Sequence, residues 1–484
     1  MRATGASLGA DAAPADAPAS PSPTAATARV GRRIALAMLG AAVVSWVRFA
    51  LGGTLEVRDL TPAQDLVLGL AFAAAFAAGA LFYLSALGRA TGPVTPSLLG
   101  LAMLVHLSAS LALPLTSSDV FANLAYGRLW SLGRNPATAA AADLGPADPF
   151  ARRVDLPWRG RVSVYGPILN AISGACARTG GVTSAFALFK LAMLAAALLT
   201  LLLAYGFCRT LGERGAWAFC LAGLNPLLAW EVSGQAHNDG VMLLAVAGFV
   251  WAAAARREWL ALLLLALGFA AKFAVAPLVV LYLLWIGRRS FWRGAAMAAA
   301  AAGLLAALFA PTWSGAATLS GPRFAAFPSP AHVVNSLGSI PLDIVKLLHP
   351  AALEPTFLVW TLLTGAFLVV QAVRAASSTT TLEATLRGAL VFTLLYECLG
   401  MLWYEPWYAT WLLPMAVGCR ERRLAGIVAG YTVLVPMLYH PTELYGLAAL
   451  GSHGLAVVLL WRTGILGAPA RRPLADAAPG LIAG

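Results

Sequence analysis

Apolar runs long enough to cross a bilayer follow one another along most of this chain of 484 residues, separated by short polar gaps. They constrain the fold more than any motif does. Inside a membrane every backbone polar group must be paired within the protein, and a helix of about 20 apolar residues is the simplest way to do it. The runs cover 34–52, 65–87, 95–115, 184–207, 215–231, 238–255, 258–271, 272–286, 291–311, 355–374, 385–402, 407–419, 424–440 and 443–461. They predict an all-α integral membrane protein with about 14 transmembrane helices, in a range of about 12–14. Composition agrees: 60% of residues are hydrophobic and 11% are charged. A soluble domain carries roughly a quarter charged residues. A soluble enzyme, a fibrous protein and a disordered chain are therefore excluded.

The net charge of +12 resembles that of a nucleic-acid binder until the positions are read. The basic residues are mostly arginines in the gaps between apolar runs, which suits membrane orientation and leaves no nucleic-acid partner. With Arg29, Arg32 and Arg33 in the cytoplasm, alternate gaps place Arg89, Arg209, Arg214, Arg256, Arg257, Arg288, Arg289 and Arg293 on the same side. Arg374, Arg387, Arg420, Arg422, Arg423 and Arg462 follow them. The alternation holds only if the run 258–286 is split at Lys272. Both termini are then cytoplasmic, and two long segments, 116–183 and 312–354, are external. The first of these, after the third span, is the large external loop. Residues 1–28 and 466–484 are rich in Ala and Pro and are expected to be loose cytoplasmic tails. Arg2 is followed by no apolar core, so no signal peptide is expected. The five cysteines show no metal-binding spacing, and neither a zinc site nor a disulfide is expected.

The unusual polar clusters fall at the external ends of spans. They are Ser117-Ser118-Asp119, the stretch 234–239 with His237, Asn238 and Asp239, Lys272, and the stretch 403–408 with Glu405, Trp407 and Tyr408. Ionisable residues beside membrane helices are costly and tend to mark function. Each cluster also has a plainer reading: Asp119, Asn238 and Asp239 suit helix N-caps, Lys272 can snorkel to the interface, and the aromatics can form an interfacial belt. Those readings leave the shared side unexplained. Residues 118–132 form a moderately amphipathic helix expected to lie along the membrane surface. Prolines 136, 146, 149 and 157 then divide the loop into turns.

In their order these pieces resemble the bacterial polyprenol-phosphate-mannose-dependent α-mannosyltransferases of the GT-C glycosyltransferase superfamily. The resembling residues are Ser118-Asp119-Val120-Phe121, Tyr126-Gly127-Arg128, Gly133-Arg134-Asn135-Pro136, Asp148-Pro149, Trp158, Tyr165-Gly166-Pro167, Asn225-Pro226, His237-Asn238-Asp239, Lys272-Phe273 and Pro406-Trp407-Tyr408. The resemblance implies a GT-C-type helical fold over 29–465 in a bacterial plasma membrane, with the active site on the external face. It implies transfer of a sugar, mannose by this family, from a polyprenyl-phosphate donor to a glycan or glycolipid acceptor. Asp119 holds the position of the family's catalytic base. Tyr126, Arg128, Asn135, Tyr165, His237, Asn238, Asp239, Lys272, Glu405, Trp407 and Tyr408 are the expected substrate-binding residues. Lys272 and Arg128 are cations suited to a lipid phosphate. One carboxylate suffices for a direct, inverting displacement, so no cofactor is required. Asp239 is the acid placed to help hold a divalent metal, although no ligand spacing supports one. Ala137 after Asn-Pro and the serines before Asp119 depart from the family pattern. The competing class is a transporter or lipid flippase, which often shows two similar halves; none is visible here.

Overall fold

The computed structural model describes residues 23–52, 60–315, 333–439 and 448–466. The expectations for 1–22 and 467–484 lie outside the described residues. Among these residues there is no strand, only two isolated bridges, Ala140 to Val162 and Val334 to Trp403. The chain is otherwise helices and turns.

Among the described residues, five stretches are long and apolar enough to span a membrane: Ala28–Leu51, Pro62–Arg89, Val182–Gly223, Phe291–Thr312 and Pro350–Ser378. The other apolar helices are shorter. Pro96–Ser110, Asp239–Ala254 and Glu258–Ala271 have 10–17 residues each. The remaining apolar runs of the sequence fall on these shorter helices and on the kinked and buried segments between the long ones. Val182–Gly223 contains a kink at Gly212, whose φ of +54° breaks the helix. The first helix, Pro23–Gly52, starts within the stretch expected as a tail.

The split at Lys272 is present. The Glu258–Ala271 helix stops there, Lys272 is extended at φ −151° and ψ 130°, and the chain resumes as Ala276–Arg289 with Pro277 in its first turn. Proline is well placed there, since the first-turn N–H groups have no partner within the helix.

The 116–183 segment builds a small core with the start of the long helix that follows it. Val120, Phe121 and Leu124 from the Asp119–Ser131 helix pack with Phe150, Phe186 and Phe189. That helix does not lie along a surface with one face free. Residues on all its sides are buried, and at Gly127 it touches the backbone of the Pro167–Ala177 helix. A Cβ on Gly127 would lie 2.3 Å from the Ser173 carbonyl. Close backbone packing therefore replaces the expected membrane-surface seat.

Candidate active site

A cavity of about 660 Å³ opens where the Asp119–Ser131 helix, the 155–165 stretch and the 396–411 stretch meet. Its size matches pockets that enclose most of a small ligand. Asp119, Tyr126, Tyr165, Glu405, Trp407 and Tyr408 all line it. Sequence-distant clusters thus share one chamber.

The entry to Asp119 is fixed from below. Gln235 Oε1 accepts from the backbone N–H groups of Leu115 and Thr116 at 2.6 and 3.0 Å, and its Nε2 donates to the Leu113 carbonyl. Trp230 Nε1 donates to Thr116 Oγ1 at 3.1 Å. Lys190 Nζ ties the Ala112 carbonyl at 2.6 Å to that of Gly234. The strap ahead of Asp119 is therefore hung on the π-helical turn Ala229–Gly234, a type of irregularity common at functional sites. Just beyond it Ala236 holds φ +59°, a left-handed backbone that costs a residue with a Cβ roughly 1–2 kcal/mol.

Ser118 is the N-cap of the helix and turns its hydroxyl to Asp155 rather than to the helix. Asp119 is the first helical residue. Its N–H donates to Ser117 Oγ and its carbonyl accepts from Asn123. No hydrogen bond reaches its carboxylate among the described residues, so that group is not spent on capping. Burial raises the carboxyl above the usual carboxylate range, and the charges of His237 and Lys272 oppose that rise. Glu405 accepts from Trp403 Nε1 at 2.8 Å. Burial and then the charge of Asp119 push its carboxyl up to about 8, with the Trp403 N–H pulling the other way.

Behind the rings lies a polar layer. Asp239 is buried and accepts from Lys272 Nζ at 2.6 Å and from Trp411 Nε1. The ammonium of Lys272 faces the rings of Tyr165, Tyr408 and Trp411 at 5.8, 5.1 and 5.0 Å, within cation–π range. Tyr165 reaches this position because Gly166 sits on the end of the Glu258–Ala271 helix: its N–H donates to the Ala271 carbonyl, and a Cβ there would meet the Ala270 oxygen at 1.9 Å. His237 Nε2 lies 3.1 Å from Glu231 Oε2, and its ring stacks on Trp407 at 4.0 Å. Asn238 donates to Asn123 Oδ1 at 2.9 Å. None of His237, Asn238, Asp239 and Lys272 lines the cavity itself. They support the side chains that do.

Two expected contacts lie elsewhere. Arg128 turns to Asp148 at 3.4 Å and to the ring of Phe150. Asn135 donates to the Thr312 carbonyl and accepts from the Ala137 N–H. Both hold the loop together and neither lines the cavity. Arg161 is the Lys or Arg side chain among its described lining residues. Sequence reasoning passed it over, along with Asp155, Glu231 and Trp411. Arg161 is one of several loop arginines and carries no signal of its own. Glu231, a lone acid in the run Leu227-Leu228-Ala229-Trp230-Glu231-Val232, did carry one. No group of three or more His, Cys, Asp and Glu side chains able to hold a metal occurs among the described residues.

A helical membrane protein with an acidic, aromatic-walled chamber fits a membrane-bound enzyme. Comparison with known proteins narrows the class. The family described as Alpha-(1->6)-mannopyranosyltransferase, N-terminal domain, matches residues 30–289. Alpha-(1->6)-mannopyranosyltransferase A of Mycobacterium tuberculosis is 26% identical over 366 residues, 71% of this chain and 68% of that protein. Alpha-(1->6)-mannopyranosyltransferase B of Corynebacterium glutamicum is 30% identical over 140 residues, 28% of this chain and 23% of that protein. No solved structure matches. The chain belongs to this bacterial α-mannosyltransferase family of GT-C type and is a glycosyltransferase. The transporter alternative falls with that assignment.

Proposed function

We propose that the protein transfers mannose from a polyprenyl-phosphate-linked donor to a hydroxyl of a glycan or glycolipid, with inversion. The observation that carries this reading is the Asp119 carboxylate, free of hydrogen bonds among the described residues and facing a 660 Å³ cavity walled by rings and served by Arg161. The acceptor oxygen forms a bond to the anomeric carbon, and the bond from that carbon to the phosphate oxygen breaks. The acceptor proton passes to Asp119, and the lipid phosphate leaves as an anion. Arg161 is placed to balance that anion by charge-assisted hydrogen bonds. Lys272, behind the rings, contributes field rather than contact. Trp407 and Tyr408 offer faces for a sugar or prenyl chain. A single inversion that ends in an α linkage requires a donor of β configuration.

The same proposal places the reaction outside a bacterial plasma membrane. The chain crosses it about 14 times, with 116–183 and 312–354 external and with 1–28 and 466–484 as cytoplasmic tails flanking a domain over 29–465. The alternation of arginine-rich gaps supports this orientation. The step as written uses side chains alone and needs no cofactor.

Asp119→Asn tests the base assignment. It keeps the size of the side chain and removes its basicity. Transfer of mannose from lipid-linked donor by the purified variant should fall about 100-fold or more, with donor affinity retained. Wild-type turnover in Asp119→Asn would overturn the assignment.

A further inference from the structure

The Leu353–Ser378 helix ends in a tight turn and the chain returns as Leu382–Leu395. Beside this turn is a second cavity of about 330 Å³, which shares no lining residue with the first. Arg374, Arg387, Ser377 and Ser378 give it a polar side, and Val391 and Phe392 an apolar one. The two hydroxyls donate to carbonyls of their own helix, at Val373 and Ala375, which leaves the guanidiniums as its charged recognising groups, with the Gln371 amide beside them. Arg387 spends Nε on Glu421 at 2.7 Å, and a second nitrogen lies 3.4 Å from the Ile465 carbonyl. A guanidinium has five N–H donors, so Arg387 is fixed without being exhausted. Arg288 stands at the rim and donates to the Ser377 carbonyl at 2.9 Å. Arg288, Arg374 and Arg387 against Glu421 leave the cavity positive.

The apolar feature beside it is equally specific. Val373 lines the cavity and is 59% exposed. From it an uncovered apolar face runs along the same helix through Val370, Val369, Leu363 and Leu362, all more than half exposed. A soluble anion would use only the guanidiniums. A ligand with an anionic head and hydrocarbon tails uses both features, and the end of a spanning helix is the level at which lipid headgroups lie. The chain's own C-terminal segment is the other candidate, since Leu466 lines the cavity and 467–484 begins there. That segment carries Arg471 and Arg472 against the single acid Asp476, and its remaining positive charge opposes its entry. We propose that this cavity binds the headgroup of an anionic phospholipid, with its acyl chains along the exposed face of the Leu353–Ser378 helix.

The test uses the purified full-length protein in detergent and photoactivatable phosphatidylglycerol, with phosphatidylcholine of the same chains as control. Phosphatidylglycerol should label the peptide containing Val369–Val373 in preference to phosphatidylcholine. Arg374→Gln should weaken that labelling about fivefold. Ser377→Trp, at an exposed position, should block it by filling the cavity while the protein keeps its thermal stability. Equal labelling by the two lipids would overturn the proposal, as would labelling that both variants leave unchanged. So would displacement of the lipid by millimolar inorganic phosphate, which would make the site one for a free anion. A several-fold gain in labelling on removal of 467–484 would make that segment the occupant instead.

Discussion

Asp119 and Glu405 face one cavity, yet their surroundings treat them differently. Asp119 is raised by burial and held back by His237 and Lys272; Glu405 is raised by burial and raised further by Asp119. Neighbouring carboxyls whose environments push them apart divide acid and base roles between them. In the proposed mechanism Asp119 takes the base role, and Glu405, protonated below about 8, can donate a hydrogen bond to a sugar hydroxyl or phosphate oxygen. The sign of the pH dependence follows. Turnover rises as Asp119 loses its proton, at a pH above the ordinary aspartate range, and falls as Glu405 loses its own near 8. Glu405→Gln, which donates at every pH, should abolish the alkaline fall and keep the acid limb. A pH–kcat profile of the two proteins checks this, and an unchanged alkaline limb in Glu405→Gln would remove Glu405 from the reaction. Asp119, Glu405 and His237-Asn238-Asp239 were legible in the sequence because ionisable groups stand out against apolar neighbours. Arg161 was not, because an arginine in a loop rich in arginine is distinguished only by the direction in which the fold turns it.

At the scale of elements, a run too long for one span and short for two, with a lysine at its centre, was enough to place the helix break at Lys272. The partner of that lysine was not legible. Asp239 starts a helix 33 residues earlier, and only the packing of the two helix ends brings the charges to 2.6 Å. Breaking one side of such a buried pair leaves a charge without compensation and costs about 3–5 kcal/mol, whereas removing both is far milder. Lys272→Met should therefore lower the thermal stability sharply in detergent, and adding Asp239→Asn should restore most of it. If the double variant is as unstable as the single one, the pair does not close the break and Lys272 is held by its aromatic neighbours alone. The Asp119–Ser131 helix shows the opposite limit. Its period was readable, but its burial was not, because Gly127 admits a second backbone where a larger residue would have kept that face open. The π-turns at Ala229–Gly234 and Tyr396–Gly400 bring Glu231 behind the site and Tyr396 and Gly400 into its wall. An added residue in a helical turn leaves no mark on apolar periodicity.

For the whole molecule, the proposed orientation makes one demand: the chamber containing Asp119 opens on the side opposite the basic gaps. Among the described residues, length and apolarity identify five candidate spans directly, and the other apolar helices are too short to be identified that way. Chain direction through the membrane is thus carried by charge placement, because positive residues are retained on the cytoplasmic side of short loops. The protein lends itself to a direct measurement. All five native cysteines are buried, so an introduced thiol reports with little background. Thr138 is exposed in the 116–183 segment, close to the bridge between Ala140 and Val162, and Ser290 is exposed between two helices beside Arg288, Arg289 and Arg293. In intact cells Thr138→Cys should react with a membrane-impermeant maleimide, and Ser290→Cys should react only after permeabilisation. Both variants change exposed positions away from the cavity and should keep wild-type turnover, which guards against a misfolded population. Labelling of both from outside would break the alternation between them. The reverse pattern would place Asp119 in the cytoplasm, where soluble nucleotide-linked sugars are at hand, and the case for a lipid-linked donor would then rest on the aromatic cavity wall alone.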